Sequence, residues 1–513
     1  MINVISAAEM FEADKYTIEK YKTTSFNLME KAATAVCDEI AKKFEKGKIL
    51  VVCGNGNNGG DGYAAAEILK NRGYAVTCMQ FSDKMSEDCK KYYKKFDGKI
   101  ITAFDNSIKY DIIIDAIFGT GLSREIKDEF LEAVNLINGS GAFVVSIDIP
   151  SGISSDSGLI LGEAVKADLT VVINNYKYGN YLNNGIDNCG EIILKEIGIK
   201  LPKNSYSKIY ENKDIKKFFP KRKRNVNKGN FGRCSLIAGS YEYSGAAIIS
   251  ANALASLKLG SGYSNLCIPM SLFNVYAGKI PECTITLLKD KIGEIIFDRD
   301  MLKKIISVSQ SICIGMGVKC SEELYKTISY LLKNFKGSLL IDADGLNTLS
   351  EYGIEILKDK KCRVTLTPHI KEFSRLTKKP VDLILKNSVE SAKEFAKEYN
   401  VTLILKSAVT IITDGEKTAL NIRGCSGMAK GGSGDVLSGI IGGLLARGLN
   451  EFDAGVCGTY VLGYSGELAE IKLNEYSMTA TDIINEIPSA INFICEEDKK
   501  DSIKQQELVN NVL

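Results

Sequence analysis

Cys53-Gly54-Asn55-Gly56-Asn57-Asn58-Gly59-Gly60-Asp61-Gly62 sets five glycines in ten residues between two apolar patterns. The apolar run Ile49-Leu50-Val51-Val52 leads into it, and the helical pattern Tyr63-Ala64-Ala65-Ala66-Glu67-Ile68-Leu69 leads out. Strand, glycine loop and helix together aim backbone N–H groups and a helix N-terminus at an anion. Working outward, apolar runs predict strands over 49–53, 75–81, 111–115, 142–147 and 169–173. Helical patterns over 62–72, 85–96 and 125–138 lie between them, after helices in 6–40 whose second member reads as capped by Ser25. This alternation predicts an α/β fold with a parallel sheet covered on both faces. The β-branched runs Ile112-Ile113-Ile114 and Phe143-Val144-Val145 suit strands buried on both sides. Ligands in such a sheet bind beyond the carboxyl ends of the strands. Two of those ends carry carboxylates, Asp115 before Ala116-Ile117-Phe118-Gly119-Thr120-Gly121-Leu122-Ser123 and Asp148 before Ile149-Pro150-Ser151-Gly152.

A looser echo of the glycine loop, Lys430-Gly431-Gly432-Ser433-Gly434-Asp435, opens a helical pattern far downstream. It belongs to a second alternating series. Strands are expected over 234–239, 263–268, 311–314, 338–342, 363–367, 401–406 and 409–413, and helices over 244–259, 321–334, 382–399, 433–447, 453–471 and 479–495. Polar groups again end the strands, at Asp342-Ala343-Asp344-Gly345-Leu346-Asn347, Thr367-Pro368-His369 and Lys406-Ser407. Residues 200–232 read as a connector whose basic run Lys221-Arg222-Lys223-Arg224 is a solvated edge, since no aromatic residues interleave it. At 513 residues the chain is too long for one ordinary core, and two domains are expected.

Lys and Arg number 65 and Asp and Glu 63, a balance that argues against a bulk nucleic-acid or membrane binder. No basic, apolar leader opens the chain, and no run approaches the roughly 18 apolar residues of a membrane span. The 14 cysteines include no C-x-x-C pair, and several sit in apolar runs, so buried free thiols and a cytoplasmic setting are expected. The single histidine, His369, leaves the first 368 residues to work with Asp, Glu, Lys, Tyr, Cys or water in any acid–base chemistry.

Gly54-x-Gly56-x-x-Gly59, with Asp83 beyond it, matches the dinucleotide fingerprint of an NAD-linked dehydrogenase. Asn57, Asn58 and Asp61 are nevertheless polar where a pyrophosphate loop presents bare backbone, and a carboxylate there repels phosphate. They suit a cation or a ligand hydroxyl. The loop is no Walker A motif, because Gly60 rather than lysine follows Gly59.

Five blocks in order, Ala8-Glu9-Met10 with Asp14, Leu28-Met29-Glu30-Lys31-Ala32, the glycine stretch, Asp115 to Leu122 and Asp148 to Gly152, resemble the NAD(P)H-hydrate epimerase (YjeF N-terminal) domain over about residues 1–205. The resemblance implies a Rossmann-like domain over 1–210. In it Asn57, Asn58, Gly59, Gly60 and Asp61, the run Gly119, Thr120, Gly121, Leu122, Ser123, Arg124 and Glu125, and Asp148 contact a hydrated nicotinamide nucleotide. Asn58, Asp115 and Ser151 hold a potassium ion. Asp148 is the candidate general acid/base.

A second ordered series runs through Asn227-Lys228-Gly229-Asn230-Phe231-Gly232, Gly239-Ser240, Gly315-Met316-Gly317, Asp342 to Asn347, Thr367-Pro368-His369, Lys406-Ser407 and Gly431 to Asp435. It resembles the ADP- or ATP-dependent NAD(P)H-hydrate dehydratases. It implies a ribokinase-like domain over 215–497, so that the whole chain is α/β, with two three-layer α/β/α domains. The anion hole is Gly431 to Gly434, where glycine N–H groups at a helix start neutralise charge on a transferring phosphoryl group, and Asp435 is the base. Lys406, Ser407, Ala408, Val409, Thr410 and Gly434 are expected to hold the adenine nucleotide, ADP or ATP with Mg2+. Gly317, His369 and Asp435 are expected to meet the hydrate. The family's Pro-Gly-Glu after the histidine is Ile370-Lys371-Glu372 here, and its histidine before Lys228-Gly229 is Asn227.

The resulting reading is a bifunctional repair enzyme. One domain interconverts the R and S hydrates of NADH or NADPH, and the other dehydrates the S form. Its partners are small nucleotides, with no nucleic acid and no membrane, in a homo-oligomer. The rivals are a ribokinase-like vitamin or sugar kinase fused to a non-catalytic nucleotide-binding module, and the dehydrogenase above.

Overall fold

The computed structural model describes residues 1–104, 107–203, 205–255 and 259–496. The chain forms two compact units, one on Ile2–Ser207 with Leu385–Asn387 and the other on Lys208–Ile384 with the chain from Ser388 on.

The strands of the first unit are β1 (Ile2–Ile5), β2 (Lys48–Cys53), β3 (Ala75–Gln80), β4 (Lys99–Ile101), β5 (Ile112–Ala116), β6 (Phe143–Ile147), β7 (Leu169–Ile173), β8 (Tyr176–Lys177) and β9 (Glu191–Lys195). Seven of them form one sheet in the order β4-β3-β2-β5-β6-β7-β9, and every pairing is parallel. β1 pairs with β8 separately. The chain order reverses between β2 and β5, which makes their carboxyl ends the topological switch point where such sheets bind ligands. β2 shows the two-sided burial that its sequence predicts. Ile49, Val51 and Cys53 join a core with the helices Ser25–Lys43 and Asn57–Asn71, while Leu50 and Val52 join another with Ala133, Val134 and Ile137 of the helix Asp128–Gly139.

The helix after the glycine loop begins at Asn57, five residues before the predicted start. Asn57, Asn58, Gly59, Gly60 and Asp61 are therefore its first residues rather than loop, behind Gly56 as N-cap. The apolar signal begins later because this end of the helix faces a cavity. The second helix is capped by Thr24, whose side chain accepts from Asn27 N, and not by Ser25, its first residue. Two glycines allow the loop its close approaches. A Cβ on Gly54 would stand 1.9 Å from Ile117 O, and one on Gly59 1.8 Å from Gly54 O. Gly59→Ala is accordingly expected to destabilise the first unit by at least about 1–3 kcal/mol. A lowered denaturation midpoint is the expected reading, and an unchanged midpoint would contradict this packing.

The second unit contains β10 (Ser207–Ile209), β11 (Arg233–Ile237), β12 (Tyr263–Pro269), β13 (Thr284–Leu288), β14 (Asp290–Lys291), β15 (Glu294–Ile295), β16 (Ser311–Ile314), β17 (Ser338–Ile341), β18 (Arg363–Leu366), β19 (Thr402–Leu405), β20 (Thr410–Thr413) and β21 (Thr418–Asn421). Its sheet runs β13-β12-β11-β16-β17-β18-β19-β20-β21-β10. It is parallel from β13 to β19 and antiparallel through β20 to β21. The helices Ser244–Ala255, Ser433–Ala446, Glu451–Ser477 and Ala480–Glu496 supply the largest core.

The predicted helix 382–399 is two helices, Val381–Lys386 and Ser388–Tyr399, and the tail of the predicted helix 244–259 lies outside the described residues at 256–258. The connector is partly ordered, carrying β10, a short helix Asn212–Lys216 and a turn at Lys228–Phe231. Its basic run is exposed, and Arg222 stacks on Phe231 with 3.8 Å to the ring centre.

Candidate active sites

At the β2/β5 switch point the first unit holds a cavity of about 780 Å³, a size suited to a small-molecule ligand. Asn57, Asn58 and Asp61 line it from the helix start, Gly119, Thr120, Gly121, Leu122 and Arg124 from the segment after β5, and Asp148 from the end of β6. Gly59 and Gly60 lie buried behind this wall, against Gly54 and Met29. Ser123 and Glu125 are exposed residues outside the lining, and Glu125 pairs with Lys127 at 3.6 Å.

Asp115 is fully buried beneath the cavity. One carboxylate oxygen accepts from Ser146 Oγ and Ser151 N, both at 2.8 Å, and the other from Ser151 Oγ and, at 3.3 Å, Ile117 N. Burial raises its pKa, and these hydrogen bonds oppose the rise. Ser151 Oγ also accepts from Phe118 N at 2.9 Å and lies 3.2 Å from Phe118 O. A Cβ on Gly119 would lie 3.2 Å from Asn58 Oδ1, and Asn58 Nδ2 is buried without a partner.

Asp148 sits at φ +70°, a conformation unusual outside glycine and one that clusters at functional sites. Its own N–H donates to Val171 O at 2.9 Å, and three further contacts hold it there. Ile173 N donates to its Oδ1 at 2.9 Å, the ammonium of the fully buried Lys177 pairs with the same oxygen, and Asn180 donates to its carbonyl at 3.1 Å. Two further carboxylates share the cavity. Burial pushes Asp14 up to about 6, with Lys177 opposing and Asp148 adding. Burial, then Asp148 and Asp14, raise Asp61 well above the usual carboxylate range. Sequence reasoning passed over Lys177, whose only signal is the polar cluster Asn174-Asn175-Tyr176-Lys177, and used Asp14 as a family mark without giving it a role.

In the second unit Gly432, at φ +100°, caps the helix Ser433–Ala446 and puts Asp435 in its first turn. Asp342, at the end of β17, accepts from Lys406 Nζ at 2.9 Å and Ser438 Oγ at 2.7 Å. A Cβ on Gly434 would stand 3.4 Å from that same Nζ, so helix start, lysine and aspartate converge. Burial, then Asp342, raise Asp435 to about 7 against the pull of Lys406. Burial alone would lower Lys406, yet Asp342, Glu372 and Asp435 outweigh it and leave its pKa above the ordinary value. The Lys406 ammonium is thus committed to Asp342. Beyond it Ser407 and Ala408 are exposed in the β19–β20 turn, Val409 is buried, and Thr410 begins β20.

His369 stands beside Lys406 and caps the helix Ile370–Thr377. Its Nδ1 accepts from Lys371 N and Glu372 N, while the Glu372 carboxylate accepts from His369 N at 2.8 Å. The glutamate therefore closes a capping box, which gives the altered Ile370-Lys371-Glu372 segment a defined shape. Burial, then Lys406 and Arg375, lower the imidazole's pKa. With Nδ1 as acceptor, the neutral ring carries its proton on Nε2. Gly317, at φ +64°, lies against Tyr243. The Asp344 carboxylate accepts from Lys319 N at 2.9 Å and contributes to the rise at Asp435. All 14 cysteines are free, and no helix among the described residues is long and apolar enough to cross a membrane.

Each of the two α/β units gathers carboxylates and a glycine-rich helix start at the carboxyl ends of its strands, where parallel sheets bind ligands. The family described as YjeF-related protein N-terminus matches residues 25–179, and that described as NAD(P)H-hydrate dehydratase matches residues 234–489. The bifunctional NAD(P)H-hydrate repair enzyme of Thermofilum pendens is 32% identical over 97% of both chains. That of Dictyoglomus turgidum is 33% identical over 96% of this chain and 98% of its own. The chain belongs to the bifunctional NAD(P)H-hydrate repair enzymes. A crystal structure of ADP/ATP-dependent NAD(P)H-hydrate dehydratase from Bacillus subtilis aligns with 56% of this chain and 99% of its own, at 24% identity and a TM-score of 0.49.

Proposed function

We propose that this chain repairs hydrated NADH and NADPH in two steps, epimerising the R and S hydrates in the domain of residues 1–210 and dehydrating the S form with ADP or ATP in that of residues 215–497. The observation that carries the reading is the near end-to-end match to bifunctional repair enzymes in a chain holding both sites.

In the first domain, Asn57, Asn58, Asp61, the 119–125 segment and Asp148 bind the hydrated nucleotide, with Asp148 exchanging protons. Asn58, Asp115 and Ser151 suit a potassium ion. The Asp115 carboxylate, Ser151 Oγ and Phe118 O cluster within hydrogen-bonding distance, and turning the half-unpartnered Asn58 amide presents a fourth oxygen. An all-oxygen set of this kind suits an alkali cation, and a bound ion would supply fixed positive charge to the ligand's oxygens. Replacing potassium by tetramethylammonium at constant ionic strength is expected to slow epimerisation and leave S-hydrate dehydration unchanged. Equal epimerisation rates in the two salts would contradict the site.

In the second domain, Asp435 takes the proton of the S hydrate's hydroxyl. The freed oxygen attacks the terminal phosphorus of the adenine nucleotide, the bond from that phosphorus to its bridging oxygen breaks with AMP leaving from ADP or ADP from ATP, and the helix-start glycines Gly431 to Gly434 receive the charge that develops. Hydroxide is a poor leaving group and phosphate a far better one, so C–O cleavage and loss of the neighbouring proton then restore the ring double bond. Gly317 and His369 border the hydrate, and Lys406 to Thr410 with Gly434 border the nucleotide. A magnesium ion carried on the nucleotide's phosphates would neutralise part of their charge. The chain acts on small nucleotides as a cytoplasmic homo-oligomer, without nucleic acid or membrane partners. Incubation with ADP and S hydrate tests the reading by recovery of NADH absorbance. Phosphate transfer to a small alcohol instead would favour the kinase reading.

A further inference from the structure

The first-domain cavity holds more acid–base equipment than one aspartate. The Asp148 carboxylate is held through one oxygen, by Lys177 and Ile173 N. Asp14 lines the same cavity from the helix Ala7–Tyr21 and makes no hydrogen bond or ion pair among the described residues. Its helix is fixed from both ends. The Ser6–Glu9 capping box closes the start, and Thr17, one turn beyond Asp14, exchanges hydrogen bonds with Ala13 O and Lys200 N. Met10, Ala13 and Thr17 are buried around it. Asp14 itself is half-buried, so its carboxyl is held in a fixed place yet open to a ligand in the cavity.

We propose that Asp14 is the proton donor of the epimerisation, working with Asp148 as the proton acceptor in one cavity. The inference rests on the epimerase reading above and adds the second proton-transfer group that the reaction needs. The hydrated carbon bears both the hydroxyl and the ring nitrogen. The Asp14 carboxylic acid protonates the departing hydroxyl, and the C–O bond breaks with its electron pair going to oxygen. The nitrogen lone pair forms a C=N bond as water leaves. Water then adds to the opposite face, the C=N pair returns to nitrogen, and Asp148 takes the proton of the incoming water. One water leaves, one enters, and solvent returns the proton from Asp148 to Asp14.

The groups facing Asp14 suit a donor. Lys177 favours its ionisation and Asp148 disfavours it, Asp14 in turn raises Asp61, and Lys15 and Glu19 of its own helix also line the cavity. Burial is the largest influence and carries its pKa to about 6.

R/S exchange followed without ADP or ATP, across pH, tests the assignment on the full chain. The native rate is expected to fall as pH rises through about 6. Asp14→Asn is expected to lose about a hundredfold and that alkaline limb with it, whereas Asp14→Glu keeps more rate and moves the limb. An undiminished rate in Asp14→Asn, or a limb unmoved in both variants, would overturn the assignment. Equal loss in both variants with an unchanged melting transition would also overturn it, in favour of a requirement for shape alone. No R/S exchange by the native chain would instead sink the epimerase reading.

Discussion

Asp435→Asn is expected to lower S-hydrate dehydration by about 10²–10⁴-fold, the usual contribution of a positioned acid or base, and to leave R/S exchange untouched. The carboxylate stands in the first turn of a helix, beside Asp342 and Lys406, and its pKa of about 7 poises it to accept a proton at neutral pH. As a base it must be ionised, so the native rate should rise with pH through about 7 and then level off, and the variant should lose that rise. Stability separates lost chemistry from lost fold. The folded-state pKa is raised above the ordinary 3.8, so this group's ionisation weighs against the fold increasingly as pH climbs from about 4 to 7. The neutral amide removes that cost, and the variant should melt no lower than the native chain above pH 7. Initial rates of NADH recovery on S hydrate with ADP give the first quantity, and calorimetry gives the second. An active variant with the native pH profile would exclude Asp435 as the base.

The reciprocal result is expected at Asp148. Asp148→Asn should reduce R/S exchange by about 10²–10⁴-fold while S-hydrate dehydration proceeds at the native rate. An amide oxygen still accepts from Lys177 and Ile173 N, so the strained backbone keeps its main ties. Leaving the buried Lys177 ammonium without an opposite charge is the structural cost. Breaking a buried pair by losing one partner costs about 3–5 kcal/mol, and retaining a polar acceptor should hold the loss below that range. Exchange measured by separating the two epimers over time reads the effect. Unchanged exchange would make Asp148 a turn former at a strand end and leave the first domain a binding module.

Much of the fold was legible because the long elements carry strong patterns. β2, β5, β6 and β7 are runs of Val and Ile buried on both faces, and the sequence signals this without ambiguity. The short strands were not legible. β1, β8, β10 and β21 have two to four residues each, too few for a period of two to stand out. β9, Glu191–Lys195, is half-exposed and carries charges at both ends. The early helix start at Asn57 was hidden for a chemical reason, since residues turned toward a ligand cavity are polar or small and mask helical periodicity.

The strand-end carboxylates could be picked out as candidates because topology puts them there in any parallel sheet. Their partners could not. Lys177 reaches Asp148 across 29 positions and Lys406 reaches Asp342 across 64, and no local spacing encodes either pair. The Lys406 pairing also changes what the 406–410 segment offers. Its ammonium is engaged, so a nucleotide there would meet the exposed Ser407 and Ala408 and the turn backbone first.

One chain can restore both epimers only if its two sites work independently. The direct measurement is the extent of NADH recovery from an equal mixture of R and S hydrates with ADP, in the native chain and in Asp148→Asn. The native chain should restore the whole mixture, and the variant should stop rapidly at the S half. Complete recovery by the variant at the native rate, or a native chain that itself stops at half, would contradict the account.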